Sequence, residues 1–220
     1  MSTVPVAQDK PPRSPRGSTS RVLHSVELFA GAGGLTLGLK LAEFELICLV
    51  EQDPQCCDTL RTNGLVLGLD PYNLIEDQIE KISLEHLDGI GVLAAGAPCQ
   101  PFSSAGHGRG HSDQRNMFPQ VIRAVREARP RAFVIENVRG LLFDRARDYF
   151  LSVLARLRNP SRESADHMLA EDYHKSQPEP SQDDEYRVYH TLLDAADFGL
   201  AQHRPRLFVV GLAQSEASWT

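Results

Sequence analysis

From His24 onward, short apolar runs alternate with amphipathic stretches along the chain. Ser25–Phe29 predicts a strand, Gly31, Gly33 and Gly34 interrupt it, and Leu35–Leu41 predicts a helix with one apolar face. Leu46–Val50 is a continuous apolar run ending in an acid, Glu51, as a parallel strand buried on both faces requires. Asp53–Asn63 predicts a helix with Asp53 as N-cap, Pro54 in its first position and Gly64 past its end. The same alternation predicts strands at Gly91–Ala95 and Ala132–Glu136, helices at Met117–Ala128 and Asp144–Leu157, and strands at Tyr186–Leu193 and Leu207–Leu212. Strands alternating with helices at this spacing predict an α/β, doubly wound domain, and no internal repeat competes with it.

Two segments fall outside the alternation. Residues 1–22 are rich in Pro, Ser, Thr and Arg, and Lys10, Arg13, Arg16 and Arg21 face only Asp9, so they predict a disordered basic tail. Between Ser161 and Tyr186, eight acids (Glu163, Asp166, Glu171, Asp172, Glu179, Asp183, Asp184, Glu185) stand against Arg162 and Lys175. That net charge of −6 equals the charge of the whole 220-residue chain, so the remainder is neutral. With Pro178 and Pro180 inside it, the segment predicts a solvated acidic insertion at 161–186 between a helix and a strand; a patch for a basic partner is the sharper alternative.

Composition narrows the class. Hydrophobic residues make up 41% and charged residues 24%, a globular mix. No apolar run approaches the ~20 residues that span a bilayer, and the first residues carry no apolar leader, so neither a membrane protein nor a secreted one is expected. Cys48, Cys56, Cys57 and Cys99 form neither a disulfide framework nor paired zinc-ligand spacing, so no metal is expected and a reducing, cytoplasmic location is. Cys48, Cys56 and Cys57 read as small buried hydrophobes.

Chemistry concentrates in two places. Phe29-Ala30-Gly31-Ala32-Gly33-Gly34-Leu35 follows the first predicted strand and opens the first helix, where a doubly wound sheet brings a nucleotide to its strand ends. The spacing is Gly-x-Gly-Gly rather than the dinucleotide pattern, and Glu51, seventeen residues beyond Gly34, stands where an acid accepts ribose hydroxyls. An adenosine-containing cofactor follows, its kind open at this point. The second place is Gly96-Ala97-Pro98-Cys99-Gln100-Pro101-Phe102-Ser103, a cysteine held between prolines at the end of a predicted strand. Ser104–Phe118 then reads as a polar, mobile lid, and Cys99 as a nucleophile.

In this order the motifs resemble those of the DNA (cytosine-5-)-methyltransferases. Glu27–Gly34 resembles that family's S-adenosylmethionine motif, Glu51 its ribose acid, Asp77 within Ile75–Ile79 its adenine acid, and Gly96–Ser103 its catalytic loop, with Ala97 in place of the usual proline. Asp113–Phe118, Glu136-Asn137-Val138 and Gln202-His203-Arg204-Pro205-Arg206 resemble three further family motifs, so the likeness runs from about His24 to Leu212. The resemblance implies a doubly wound Rossmann-like S-adenosylmethionine-dependent methyltransferase fold. It implies a cofactor site of Phe29, Ala30, Gly31, Gly33, Gly34, Leu35, Glu51, Asp77 and Pro98. It implies catalysis by Cys99, Glu136, Arg204 and Arg206, and contacts to double-stranded DNA by Gln100, Ser103, Arg109, Arg115 and Gln202. His107 and His111 share the loop, and His203 reads as solvated.

The family's target-recognition region and terminal helix have no counterpart before Thr220. Three expectations follow: one subunit of a split enzyme partnered by a second subunit carrying target recognition, a fragment, or a relative that binds cofactor or DNA without turnover. A transfer-RNA methyltransferase shares the motif set; a nicotinamide dehydrogenase does not explain Cys99, Glu136 and Arg206 together. Restriction–modification is a reasonable bacterial context.

Overall fold

The computed structural model describes residues 22–98, 116–161 and 184–216. The predicted basic tail, the lid through residue 115 and most of the acidic insertion lie outside the described residues.

Seven strands form one sheet: β1 (His24–Leu28), β2 (Glu45–Glu51), β3 (Leu74–Glu76), β4 (Val92–Ala95), β5 (Ala132–Val138), β6 (Tyr186–Asp194) and β7 (Pro205–Ala213). Their spatial order is β3-β2-β1-β4-β5-β7-β6. The first five run parallel, while β7 lies antiparallel between β5 and β6. The order reverses at β1, between β2 and β4, the crevice where ligands meet open α/β sheets.

Helices cover both faces: α1 (Gly34–Leu41), α2 (Pro54–Thr62), α3 (Gly64–Leu67), α4 (Phe118–Ala128) and α5 (Asp144–Arg158). Alternation within each strand assigns the faces. Val26 and Leu28 of β1, Leu93 and Ala95 of β4, and Phe133 and Ile135 of β5 pack with Phe118, Val121, Ile122 and Val125 of α4 and with Phe150, Val153, Leu154 and Leu157 of α5. Leu49 of β2 faces the other way, onto Leu60 of α2 and Leu67 of α3. Two covered faces explain why the parallel strands read as unbroken apolar runs.

Asp53 caps α2, its Oδ1 accepting the N–H groups of Gln55 and Cys56 at 2.8 and 3.1 Å, with Pro54 in the first turn as predicted. Gly64 opens α3 instead of leading into a loop. The lid as predicted ran to Phe118, but Phe118 is fully buried and begins α4, because its ring belongs to the α4–α5 core and sits edge-on to Tyr149. Cys48 and Cys57 are buried, and burial lifts their thiols to about 12 and about 11. Cys56 is half-buried, contrary to expectation, because it lies on the outward side of α2 beside the buried Cys57. The two ends of the acidic segment are tied together: Ser161 donates through N and Oγ to the two carboxylate oxygens of Glu185 at 3.1 and 2.9 Å, and Asn159 Nδ2 donates to Asp184 Oδ1 at 2.7 Å.

Gly211 of β7 pairs with Phe133 of β5, and a Cβ on Gly211 would overlap the Phe133 ring. That ring is fully buried and packed against Tyr186, centroids 5.2 Å apart, so it has nowhere to retreat. Gly211→Ala will therefore destabilise the domain by about 1–3 kcal/mol, the usual cost of overpacking. Urea unfolding followed by fluorescence measures it; an unchanged midpoint would show that the β5–β7 contact can relax.

Candidate active site

The chain after β1 turns sharply. Phe29 (φ 57°), Gly31 (φ 55°) and Gly33 (φ 89°) all adopt left-handed backbone, carrying the chain from the strand end into the first turn of α1. Gly33 is also required by packing, since a Cβ there would lie 2.9 Å from Leu60 Cδ2 and 3.0 Å from Leu67 Cδ1. At Gly31 and Gly34 a Cβ would meet no atom within 4 Å, so both border open space. Glu51, at the end of β2, joins this turn: Oε2 accepts the Gly31 N–H at 2.8 Å, and Oε1 accepts those of Gln52 and Asp53 at 2.8 and 2.9 Å. Turn and acid form one hydrogen-bonded unit across adjacent strand ends.

Asp77 follows β3, one strand further out, and its N–H donates to the Glu51 carbonyl at 3.1 Å. Its Oδ1 accepts from Lys81 Nζ at 2.6 Å and from the Gln78 N–H at 2.7 Å. These two bonds, Lys81 first, hold its carboxyl below the usual carboxylate range.

Glu27 had been read only as part of a motif. It sits in the middle of β1, 1% exposed, on the face covered by α1, and its Oε2 accepts from Thr36 Oγ1 at 2.6 Å. Burial raises its pKa to about 7, the Thr36 hydrogen bond opposes that rise, and the charge of Glu51 adds to it. The available signal was an acid between two apolar strand residues, Val26 and Leu28.

The second group of side chains comes from β5 and β7. Arg206 at the start of β7 places Nε 2.8 Å from Oε1 of Glu136 near the end of β5, and the two side chains are 24% and 30% exposed. The strands are antiparallel here, Val138 opposite Arg206 and Glu136 opposite Phe208, so residues distant in sequence meet diagonally. Asn137, the middle residue of the Glu136–Val138 motif, is buried. Its Nδ2 donates to the Ala97 carbonyl at 3.0 Å and its Oδ1 accepts the Val138 N–H at 2.8 Å. It thereby fastens the start of the cysteine loop to β5, two residues before Cys99. Pro98 is exposed at the edge of the described chain. Cys99, Gln100, Ser103, Arg109 and Arg115 lie outside the described residues.

One cleft of about 680 Å³ joins the two groups. Glu27, Phe29, Ala30, Gly31, Gly34, Leu35 and Gly96 form one side, and Glu136, Arg204, Arg206 and Phe208 the other, with Ala195 and Phe198 from the β6–β7 connection. Glu51 stands beside the cleft, bonded to Gly31, and Gln202 is exposed on the same connection as Arg204. His203 is solvent-exposed, as predicted, yet its Nδ1 lies 3.0 Å from Asp194 Oδ2. Among the described residues, no group of three or more His, Cys, Asp or Glu could hold a metal ion, and no helix is long and apolar enough to cross a membrane.

A sheet whose first turn and second-strand acid flank a cleft at the reversal of strand order, with an acid–guanidinium pair opposite, is the layout of an S-adenosylmethionine-dependent methyltransferase domain. The chain belongs to the C-5 cytosine-specific DNA methylase family, whose pattern it matches over residues 23–161 and 170–219. It is 38% identical over 191 residues to the type II methyltransferase M.NgoMIV of Neisseria gonorrhoeae, covering 86% of this chain and 51% of that protein. It is 34% identical over 190 residues to the type II methyltransferase M.AquIA of Picosynechococcus, covering 84% of this chain and 70% of that protein. Among solved structures it resembles a DNA modification methyltransferase encoded within an Escherichia coli prophage, with TM-score 0.61, 22% identity and 88% of this chain and 47% of that one covered. It also resembles the S. pombe Dnmt2 methyltransferase, with TM-score 0.57, 18% identity and 87% and 51% covered. The chain thus spans about half the length of the Neisseria relative.

Proposed function

We propose that this chain carries the cofactor-binding and bond-making part of a DNA cytosine-5 methyltransferase, which moves a methyl group from S-adenosylmethionine to C5 of cytosine in double-stranded DNA. What carries the proposal is the Glu136–Arg206 pair, 2.8 Å apart, sharing one cleft with the glycine turn. The open space at Gly31 and Gly34, the Glu51 carboxylate beside it and a carboxyl at Glu27 suit a cationic adenosine cofactor. When bound, S-adenosylmethionine supplies an electrophilic methyl group on its sulfonium.

The chain's residues supply the rest. Cytosine C5 is a weak nucleophile, so Cys99 adds as thiolate to C6 and makes C5 enamine-like. Glu136 meets N3 and the exocyclic amine, and Arg206 donates to O2, so the charge gathering in the ring falls between two groups already in place. With C5 methylated and the sulfonium released as a neutral thioether, the C5 proton would pass to water and elimination of Cys99 across C5–C6 would restore the thiolate. The base reaches the cleft by flipping out of the duplex, at a cost of a few kcal/mol. Arg204 lines the cleft beside Arg206, and Gln100, Ser103, Arg109, Arg115 and Gln202 contact DNA. Sequence choice falls to a target-recognition polypeptide, joined to this chain or separate from it, and the site of action is the bacterial cytosol.

The test is covalent trapping. Duplex DNA carrying 5-fluorocytosine, S-adenosylmethionine and the recognition polypeptide should give an adduct stable to denaturant, because fluorine cannot leave as the C5 proton does. Cys99→Ser should abolish it. Equal trapping by Cys99→Ser, or labelled methyl entering transfer RNA and not DNA, would refute the proposal.

A further inference from the structure

The β6–β7 connection forms one wall of the cleft, yet it contains no helix longer than the single turn Ala195–Phe198. Asp194, the last residue of β6, holds it. Oδ1 accepts the N–H of Arg204 at 2.7 Å and that of Ala196 at 3.1 Å, while Oδ2 lies 3.0 Å from His203 Nδ1. These three partners, the Arg204 amide first, hold the Asp194 carboxyl below the usual range, so it stays an anion at neutral pH. One carboxylate therefore closes the connection at both ends: residue 196 where it leaves β6 and residues 203–204 where it enters β7.

The position explains why a side chain is needed. Asp194 is paired with Pro205 in the ladder, and Leu193 with Arg206. Ala195 N bonds to Arg204 O, so the 194–205 pair exchanges no backbone bond of its own and leaves the Asp194 side chain free to reach the connection. Backbone bonds inside the connection include Ala195 N to Arg204 O at 3.3 Å, Gly199 N to Ala196 O at 3.2 Å and Leu200 N to Ala195 O at 3.1 Å. Asp194 adds an acceptor there for the Arg204 and Ala196 N–H groups.

We infer that Asp194 is a positioning residue for the methyl-transfer reaction: by clamping Ala196, His203 and Arg204 it fixes the wall from which Arg204 and Arg206 address the cytosine. The role rests on the function proposed above and touches neither base nor cofactor directly. Misplacing a reacting partner by about 1 Å costs on the order of 100-fold in rate. Asn at this position keeps the Oδ1 acceptor for both amides and loses only the charge toward His203.

The experiment compares Asp194→Ala, Asp194→Asn and the parent chain with the recognition polypeptide. Asp194→Ala should slow 5-fluorocytosine trapping by about 10- to 100-fold, with S-adenosylmethionine affinity unchanged within about twofold, since the glycine turn is on the opposite side. Asp194→Asn should restore trapping to within about threefold of the parent. Parent-like trapping by Asp194→Ala, or equal loss in both variants, would overturn the inference. A parent that traps nothing would count against the proposed methyl transfer alone. The clamp is then decided by amide hydrogen exchange at Ala196 and Arg204. Exchange there should accelerate at least about tenfold in Asp194→Ala and not in Asp194→Asn; equal exchange in all three proteins overturns it.

Discussion

Glu136→Gln will lower the rate of methyl transfer by about 100- to 1,000-fold, the usual cost of removing one preorganised group at a developing charge. The reason is local. Glu136 sits near the end of β5 with one oxygen 2.8 Å from Arg206 Nε, and it is the acid among the cleft-lining residues of β5 and β7. Glutamine keeps the shape and can still meet the exocyclic amine, but it can neither share a proton with N3 nor pair with the guanidinium. Cofactor affinity should stay within about twofold, because Glu136 lies across the cleft from Gly31 and Gly34. Single-turnover transfer of labelled methyl groups, with equilibrium cofactor binding beside it, measures both quantities. A matched loss of binding and rate would make Glu136 a cofactor ligand, and an unchanged rate would remove it from the chemistry.

The second large effect concerns stability. Glu27 carries a folded-state pKa near 7 against 4.5 for an unburied carboxyl, chiefly because β1 and α1 exclude water from it. Between those values the folded protein keeps a proton that the unfolded chain has released. Stability therefore falls as pH rises from about 4.5 to about 7, and the whole cost is present above that. A gap of this size corresponds to about 3 kcal/mol. Glu27→Gln is neutral at every pH and can still accept from the Thr36 hydroxyl. At pH 8.5 it should unfold at higher urea than the parent by an amount approaching that figure, and at pH 5.5 by much less. A difference independent of pH would mean that Glu27 is not the group that titrates. A carboxyl kept at such a cost beside a cleft is typical of functional sites.

The parallel core was legible because its strands are covered on both faces and so appear as unbroken apolar runs: Leu46–Val50 needed no further clue. β3 escaped because it is three residues long and at the half-exposed edge of the sheet. The direction of β6 and β7 escaped for a different reason. Their order and direction come from pairing with each other and with β5, far away in sequence, and nothing within Tyr186–Leu193 encodes that. In the cleft and beside it, Gly31 and Gly34 were legible from the break they make after the first strand, and Glu51, Glu136 and Arg206 from their own side chains and motif order. Asn137 and Asp194 could not be assigned, since each works by satisfying backbone groups distant in sequence, Ala97 for one and Arg204 for the other. Side chain-to-backbone bonds of that kind leave no period in the chain. Phe118 stood both at the end of the predicted lid and inside the predicted helix Met117–Ala128, and it belongs to the helix, because a polar run of sequence does not show where core packing resumes.

The tie between Ser161 and Glu185 gives the acidic segment a fixed doorway. Ser161 after α5 and Glu185 before β6 meet at one point, so the number of residues between them does not set the register of β6 on β7. The entropic cost of closing a loop rises only slowly, by about 0.6 kcal/mol for each doubling in length. Insertions and deletions there can accumulate without moving Asp194, Arg204 or Arg206. β7 and the connection before it, which bear the arginines, are thus insulated from changes in the length of that segment by the Ser161–Glu185 tie.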